Sequence, residues 1–272
     1  MIVFPNCKIN LGLHILRKRA DGFHDLETVF YPVPLQDAVE IVQPPQAEAD
    51  VVFTSSGMPV DGAASDNSCV KAYRLLKKDF PQLPLIRLHL LKTIPTGAGL
   101  GGGSADGAFT LVLLNKKFNL GLDEEKLMAY ALQLGSDCPF FVRNTPCYAT
   151  GRGEVLENIK LDLSPYKFVL VNPQIHINTG WAFSQIRPSE ERASLKEIIT
   201  RPVEEWKVFL KNDFEEAVFA QHPAIKECKE ALYRWGAVYA AMTGSGSTVF
   251  GLFEKTAMPH FNFPSHYFMR TI

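Results

Sequence analysis

The sequence lacks the marks of a secreted, stapled or metal-clipped protein. Its 272 residues hold five cysteines, Cys7, Cys69, Cys138, Cys147 and Cys228. The number is odd and no two form a Cys-x-x-Cys pair, which argues against a disulfide framework or a zinc knuckle and fits a reducing cytosol. Charge of one sign is not in excess: 28 Lys and Arg against 29 Asp and Glu leave a formal net charge of -1. A basic face for nucleic acid or for a membrane surface is therefore not expected. No apolar run approaches the ~20 residues of a membrane span. The N-terminal Met-Ile-Val-Phe-Pro-Asn-Cys-Lys has no charged region before an apolar run, and Lys8 and Asn10 interrupt what apolar character there is, so it does not read as a signal peptide. There is no internal repeat and no low-complexity tract. The expectation is a soluble, cytoplasmic protein.

What is present suffices for an ordinary core. Hydrophobic residues make up 46% of the chain, enough to fold without a metal or disulfide staple. A chain of this length favours two domains over one. Asn158–Pro165 reads as the connector, dividing the chain into 1–157 and 158–272.

The first half opens with segments rich in β-branched and aromatic residues: Lys8–Leu16, Thr28–Tyr31, Val39–Val42 and Val51–Thr54. Asp21-Gly22 and the prolines near 32–45 break them. They read as largely antiparallel strands. A helix follows, capped by Ser65 or Asp66, with Cys69, Ala72, Tyr73 and Leu76 at i, i+3, i+4, i+7. Ile86–Leu91 reads as a strand whose polar positions are Arg87 and His89, with Lys92 following. After a glycine-rich loop, Ala105, Ala108, Phe109 and Val112 predict a helix from near Ser104 to about Leu114. Asp123 caps another helix that ends at Gly135. In the second half, Phe168–Val171 reads as a strand and the stripe Ile225, Cys228, Leu232, Trp235 as a helix. Ala237–Met242 and Thr248–Phe253 read as strands flanking Thr243-Gly244-Ser245-Gly246-Ser247, which as it stands is a possible hairpin turn. The tail from His260 carries no motif.

The chemistry begins at Pro95-Thr96-Gly97-Ala98-Gly99-Leu100-Gly101-Gly102-Gly103-Ser104-Ala105. A loop that wraps phosphates needs backbone N–H groups turned inward with no Cβ in the way, and glycine allows this. A helix starting just beyond adds free N–H groups and the positive end of its dipole. Ser104 can cap that helix or donate to a phosphate. Two other readings compete: a flexible turn, and the dinucleotide fingerprint G-x-G-x-x-G at Gly97, Gly99 and Gly102, which would make a nicotinamide or flavin enzyme. The second normally opens a hydrophobic βαβ unit, whereas this loop follows about ninety residues of mainly strand-like sequence. The lysine-bearing G-x-x-x-x-G-K-[ST] loop is absent.

This loop resembles the central motif of the GHMP kinases. Three further segments match in family order: Pro5-Asn6-Cys7-Lys8-Ile9-Asn10-Leu11 with Arg19-Ala20-Asp21-Gly22-Phe23-His24; Leu134-Gly135-Ser136-Asp137-Cys138-Pro139-Phe140-Phe141; and Thr243-Gly244-Ser245-Gly246-Ser247. Together they span positions 5–251. The N-terminal segment is similar to that of the branch acting on a cytidine-diphosphate-linked methylerythritol. The resemblance implies an α+β, two-domain fold: an N-terminal ribosomal-protein-S5-like domain and a C-terminal ferredoxin-like α/β domain, with the active site between them. It implies transfer of the ATP γ-phosphate, with magnesium, to a tertiary 2-hydroxyl in the non-mevalonate route to isoprenoid precursors. The partner implied is that small molecule, with no nucleic acid and no membrane, and with the protein a monomer or homodimer.

Residue by residue, the resemblance makes Asp137 the proton acceptor, where the local reading is equally an N-cap of a short helix from Pro139. It makes Lys8 the cation that polarises the hydroxyl and keeps Asp137 ionised, where pattern alone favours a surface lysine on an edge strand. Asn10 shares a strand face with Lys8 and becomes a substrate hydrogen-bond partner. Phe23 stands where the family usually has tyrosine stacked on cytosine; the ring keeps the stacking face and loses the hydroxyl. His24 matches the residue that hydrogen-bonds the base. Phe183 is the second face of the sandwich or equally a core residue of a helix starting near Thr179, and Thr179 matches a substrate contact. Asn67 and Lys92 match positions near the nucleotide, although Asn67 also suits a first helical turn and Lys92 a solvated surface. Asp106 falls where the family has Asp or Asn, which leaves open a contact to magnesium. No dedicated metal site is expected; magnesium would arrive on ATP. A non-catalytic nucleotide-binding module and kinases of homoserine or a mevalonate are the rivals. Lys8 and Asp137 weigh against the first, and Phe23-His24 against the second.

Overall fold

Apolar and β-branched runs set the element order, seen here in a computed structural model that describes residues 1–45, 49–60 and 62–272. The strands are β1 (Ile2–Val3), β2 (Asn6–Lys18), β3 (His24–Gln36), β4 (Ala38–Val42), β5 (Val51–Gly57), β6 (Ile86–Lys92), β7 (Cys147–Thr150), β8 (Val155–Asn158), β9 (Tyr166–Asn172), β10 (Tyr239–Met242), β11 (Val249–Glu254) and β12 (Phe268–Thr271). The helices are α1 (Ser68–Asp79), α2 (Gly102–Phe118), α3 (Glu124–Leu134), α4 (Cys138–Arg143), α5 (Thr179–Ser184), α6 (Leu195–Ile198), α7 (Val203–Phe209), α8 (Phe214–Gln221) and α9 (Pro223–Arg234). The chain forms two compact units. The first comprises Met1–Cys7, Pro34–Thr96 and Gly101–Thr145, and the second Lys8–Val33, Gly97–Leu100 and Pro146–Ile272. These units do not follow the linear halves 1–157 and 158–272. The reason is strand pairing: β2 and β3 lie in one sheet with β7 and β8, so the early hairpin gathers with the late chain.

The first unit is a sheet of order β1-β4-β6-β5 with α1 to α4. β4 is antiparallel to β1 and β6, but β5 and β6 are parallel, which corrects the antiparallel expectation. A parallel pair needs a crossover, and α1 supplies it. The stripe Cys69, Ala72, Tyr73 and Leu76 is buried as its spacing predicts. The α1 cap is neither Ser65 nor Asp66. Those residues close a short 3-10 turn, and the side chain of Asn67 accepts the Cys69 N–H at 2.9 Å. Such a cap contributes about 1 kcal/mol. α2 starts at Gly102, two residues earlier than expected, and runs on to Phe118 because Lys116 and Lys117 suit its last turn and Asn119 takes the left-handed stop at φ 50°.

The second unit holds two sheets, β2-β3-β7-β8 and β10-β11-β9-β12. β3 runs straight through Pro32 and Pro34, where the sequence suggested breaks. It pairs with β7 only at Thr28–Phe30, so on that side the prolines forfeit no ladder bond. β10 and β11 pair with Met242 opposite Val249, confirming the hairpin around the second glycine segment. The motif-free tail is not idle: β12 pairs along β9 from Asn172 to Val169. The core of this unit includes Leu13, Ile15, Val169, Val171, Phe214, Val218, Ile225, Cys228 and Leu232. Each fully buried aliphatic side chain here contributes about 2 kcal/mol relative to exposure.

Candidate active site

In the first unit, the glycine loop delivers its chain into α2 through Gly101. That residue is the N-cap at φ 69° and makes no side-chain cap. A left-handed cap of this kind strains any residue with a Cβ. The N–H groups that open a helix have no intrahelical partner and point outward with the positive end of the dipole, so this terminus suits an anion. Ser104 is the third residue of α2, not its cap. Pro95 and Ala105 are buried, whereas Thr96 and Gly103 are exposed.

Lys92 is not solvated. It belongs to the buried face of β6 with Leu88 and Leu90, and it is 3% exposed. Its ammonium donates to Asp37 and, at 2.8 Å, to Asp106 Oδ2. Burial works against the charged lysine, but Asp106 and Asp37 outweigh it and raise its pKa. Two carboxylates share one ammonium, so one negative charge is in excess. Burial above all, with Asp37 adding to it against the pull of Lys92, pushes the Asp106 carboxyl up to about 7. Oδ1 of Asp106 is buried and has no hydrogen-bond partner.

Asp137 occupies the N-cap position of α4, but its side chain makes no capping bond. The capping reading thus fails at the side chain, and the carboxylate is not used to start the helix. Next to it, burial pushes the Cys138 thiol up to about 12 despite a hydrogen bond with Ser104, so this cysteine is no nucleophile.

In the second unit, β2 is buried on both faces from Asn6 to Ile15. Lys8 is therefore not a surface lysine: it is 3% exposed. Its Nζ donates to Asn10 Oδ1 at 2.6 Å and lies 4.8 Å from the Phe30 ring centroid. Asn10 extends the network. Its Nδ2 donates to Thr28 Oγ1 at 3.0 Å, and its N–H to Thr243 Oγ1 at 3.0 Å. The Thr243 hydroxyl also lies 3.0 Å from the Gly99 carbonyl oxygen. Gly99 has φ 78°, and a Cβ there would stand 2.1 Å from the Thr243 carbonyl oxygen. The Thr248 N–H donates to the Ala98 carbonyl at 3.2 Å, and the Lys8 N–H to that of Leu100 at 2.9 Å. Residues 97–100 are thus held from β2 on one side and from the 243–248 hairpin on the other.

The tip of the β2–β3 hairpin is an Asx turn in which Asp21 accepts the Phe23 N–H at 3.1 Å. Phe23 is 52% exposed, and the Arg152 guanidinium lies 4.7 Å from its ring centroid. The His24 ring stacks on Phe183, with centroids 4.9 Å apart and 19° between planes. Burial, then the charge of Lys18, lowers the His24 pKa. Phe183 sits on α5, edge-on to Phe214 at 4.9 Å and against the core. Thr179, the first residue of α5, is exposed, with its hydroxyl 3.2 Å from that of Ser245.

Among the expected residues, Lys8, Asn10 and Gly99 share one network, His24 and Phe183 are in contact, and Lys92 meets Asp106. Phe183 contacts His24 and Phe214, and Phe23 lies against Arg152. Sequence reading missed Asp37, Thr28 and Arg152. Thr28 stands on the strand facing Asn10, a relation only pairing reveals. Asp37 is one acidic residue before a strand and has no pattern of its own.

The chain matches the family model for the GHMP kinases N terminal domain at residues 67–144 and that for GHMP kinases C terminal at residues 194–259. The 4-diphosphocytidyl-2-C-methyl-D-erythritol kinase of Bacteroides fragilis is 55% identical over 254 residues, 93% of this chain and 92% of that one. That of Azobacteroides pseudotrichonymphae is 52% identical over 272 residues, 99% of this chain and 100% of that one. A crystal structure of 4-(cytidine 5'-diphospho)-2C-methyl-D-erythritol kinase superposes with TM-score 0.79 at 30% identity, covering 93% of this chain and 90% of the other. The chain belongs to the GHMP kinases, a family of ATP-dependent phosphotransferases, and within them to the branch these relatives define.

Proposed function

We propose that the residues described above carry out phosphorylation of the 2-hydroxyl of 4-diphosphocytidyl-2-C-methyl-D-erythritol, a step in non-mevalonate isoprenoid precursor synthesis. The observation that carries the reading is likeness over nearly the whole chain to kinases of that substrate. The buried Lys8 and the uncapping Asp137 add to it. At the level of family domains, we take 1–157 as the N-terminal, ATP-binding half and 158–272 as the C-terminal half; the two family-model matches fall one in each.

ATP supplies the phosphoryl group, and phosphoryl transfer asks the protein for position and charge rather than covalent chemistry. The N–H groups at the start of α2, with Ser104, would hold the phosphates, and Asn67, Lys92 and the loop from Pro95 to Ala105 would surround the nucleotide. Magnesium would come with ATP, held by phosphates and water. No group of three or more His, Cys, Asp or Glu among the described residues could hold it alone. Asp106 Oδ1 is one free acceptor, but its partner oxygen is committed to Lys92. Asp137 takes the proton of the acceptor hydroxyl. Lys8, fixed by Asn10, places positive charge where that hydroxyl becomes an alkoxide. Phe23 offers an exposed ring face to the cytosine, His24 a hydrogen bond, and Phe183 and Thr179 complete the acceptor site. We place the enzyme in the cytoplasm, as a monomer or homodimer that meets neither nucleic acid nor membrane. The formal charge of -1 supports this, and no helix among the described residues is long and apolar enough to cross a membrane.

The test is ADP release from purified protein with ATP, magnesium and the cytidyl acceptor or homoserine. Turnover is expected with the first; turnover with homoserine alone would overturn the assignment. Asp137→Asn should lower kcat by at least about a thousandfold while ATP affinity by calorimetry stays within about threefold. A near-wild-type rate would remove Asp137 from the chemistry.

A further inference from the structure

The nucleotide loop stands on two feet: the strand end at residues 92–94 and the first turns of α2. Asp37 touches both. Its side chain is completely buried. Oδ1 accepts the Thr93 N–H at 2.5 Å and the Ile94 N–H at 2.9 Å, and Oδ2 accepts from the Lys92 ammonium. That ammonium reaches on to Asp106 in the second turn of α2. The first residue of α2 rests on the same groups: a Cβ on Gly102 would stand 2.8 Å from Ile94 Cγ2 and 3.0 Å from Lys92 Nζ. Asp37 is itself tethered, its N–H donating to the Pro5 carbonyl at 2.8 Å.

We propose that Asp37 is a positioning residue for ATP: one carboxylate ties the strand that enters the phosphate loop to the helix that leaves it, and so aims the opening N–H groups of α2. The proposal rests on this loop being the ATP site. A buried carboxylate with several donors cannot shift without leaving groups unsatisfied, which makes it a stiff reference point. Small displacements of groups that hold the reacting phosphate are costly, up to about a hundredfold in rate per ångström. None of the contacts of Asp37 described here involves an acceptor-site residue, so its effect should fall on the nucleotide alone.

Asp37→Ala removes the tie and leaves Lys92 with Asp106 as a balanced pair. We expect KM for ATP, and Kd for a non-hydrolysable ATP analogue by calorimetry, to rise roughly tenfold. KM for the cytidyl acceptor should stay within about twofold. Asp37→Asn retains an oxygen for the Thr93 and Ile94 N–H groups but turns an NH2 donor towards the Lys92 ammonium, so it should recover only part of the loss, with ATP affinity between those of wild type and the alanine variant. Asp37→Ser makes the same comparison if the alanine variant does not fold. Unchanged ATP affinity in the alanine or serine variant, or a parallel rise in both KM values, would overturn the proposal. Wild-type protein that binds the analogue but turns over no cytidyl acceptor would instead sink the acceptor assignment and leave this one readable.

Discussion

Glu27 carries its charge inside the second unit, 3% exposed on β3. Its carboxylate meets His14 Nδ1 at 2.8 Å and accepts from Tyr148 OH at 2.5 Å, Ser194 Oγ at 2.8 Å and the Leu195 N–H at 3.0 Å. Desolvation is the largest single influence and opposes ionisation. The bonds from His14, Tyr148, Ser194 and Leu195 together overcome it and bring the pKa down from 4.5 to about 2. A lowered carboxylate pKa means that the unfolded chain binds the proton more readily. The stability it contributes is present above pH 4.5 and is lost as pH falls towards 2. Glu27→Gln should therefore cost about 2 kcal/mol at pH 7, and the difference from wild type should shrink below pH 4.5 in urea titrations. A gap independent of pH would remove the ionised carboxylate from the account. At this scale period and charge were opposed signals. Lys92 is an even step from Leu88 and Leu90, which would put it inside, but its charge reads as a solvated position like those of Arg87 and His89, and its burial is seen only in the fold. The burial of Lys8 was not legible, because a strand covered on both faces has no alternation to read.

Between residue and molecule, the two glycine segments act together. Gly99 is held at φ 78° against the carbonyl of Thr243, so substitution there carries both a backbone cost and a clash. Gly236, at φ 94°, has nothing within 4 Å of its would-be Cβ and isolates the backbone cost. Gly236→Ala should destabilise by about 1 kcal/mol, whereas Gly99→Ala should cost at least about 2 kcal/mol and weaken binding of an ATP analogue. Thermal melts and calorimetry on both variants check this; equal losses would show that the approach to Thr243 is not tight in solution. Element positions were mostly readable from periodicity, including α1, α3, α9 and the β10–β11 hairpin. Ends were read less well. A proline reads as a stop until the sheet shows which edge its missing N–H faces, and Ser65 or Asp66 reads as the cap of α1 until Asn67, which reads as a first-turn residue, is seen to make the bond. The resemblance named His24 and Phe183, but only the fold shows them stacked on each other, with Phe23 beneath Arg152.

At the scale of the whole molecule, the six segments that make up the two units require five passages of the chain between them. A linear reading expects one passage, near 158, because neither composition nor punctuation records that β2 and β3 pair with strands formed after residue 146. Fragment 158–272 lacks β2, β3 and β7, as well as residues 97–100. It should show no cooperative thermal transition by near-ultraviolet circular dichroism, and neither should 1–157 alone. A sharp transition in either fragment would mean that a unit can form without its interleaved segments.

The interleaving also bears on inheritance. Every passage is a place where residues selected for one unit are encoded beside residues selected for the other. A recombination between related genes at codon 157 would join one parent's β2–β3 hairpin to the other parent's β9–β12 sheet inside a single core. Leu13 and Ile15 would then pack against Val169 and Val171 chosen for different neighbours. For this chain a crossover between distant relatives scrambles a core instead of exchanging a module, so the two halves are expected to descend together.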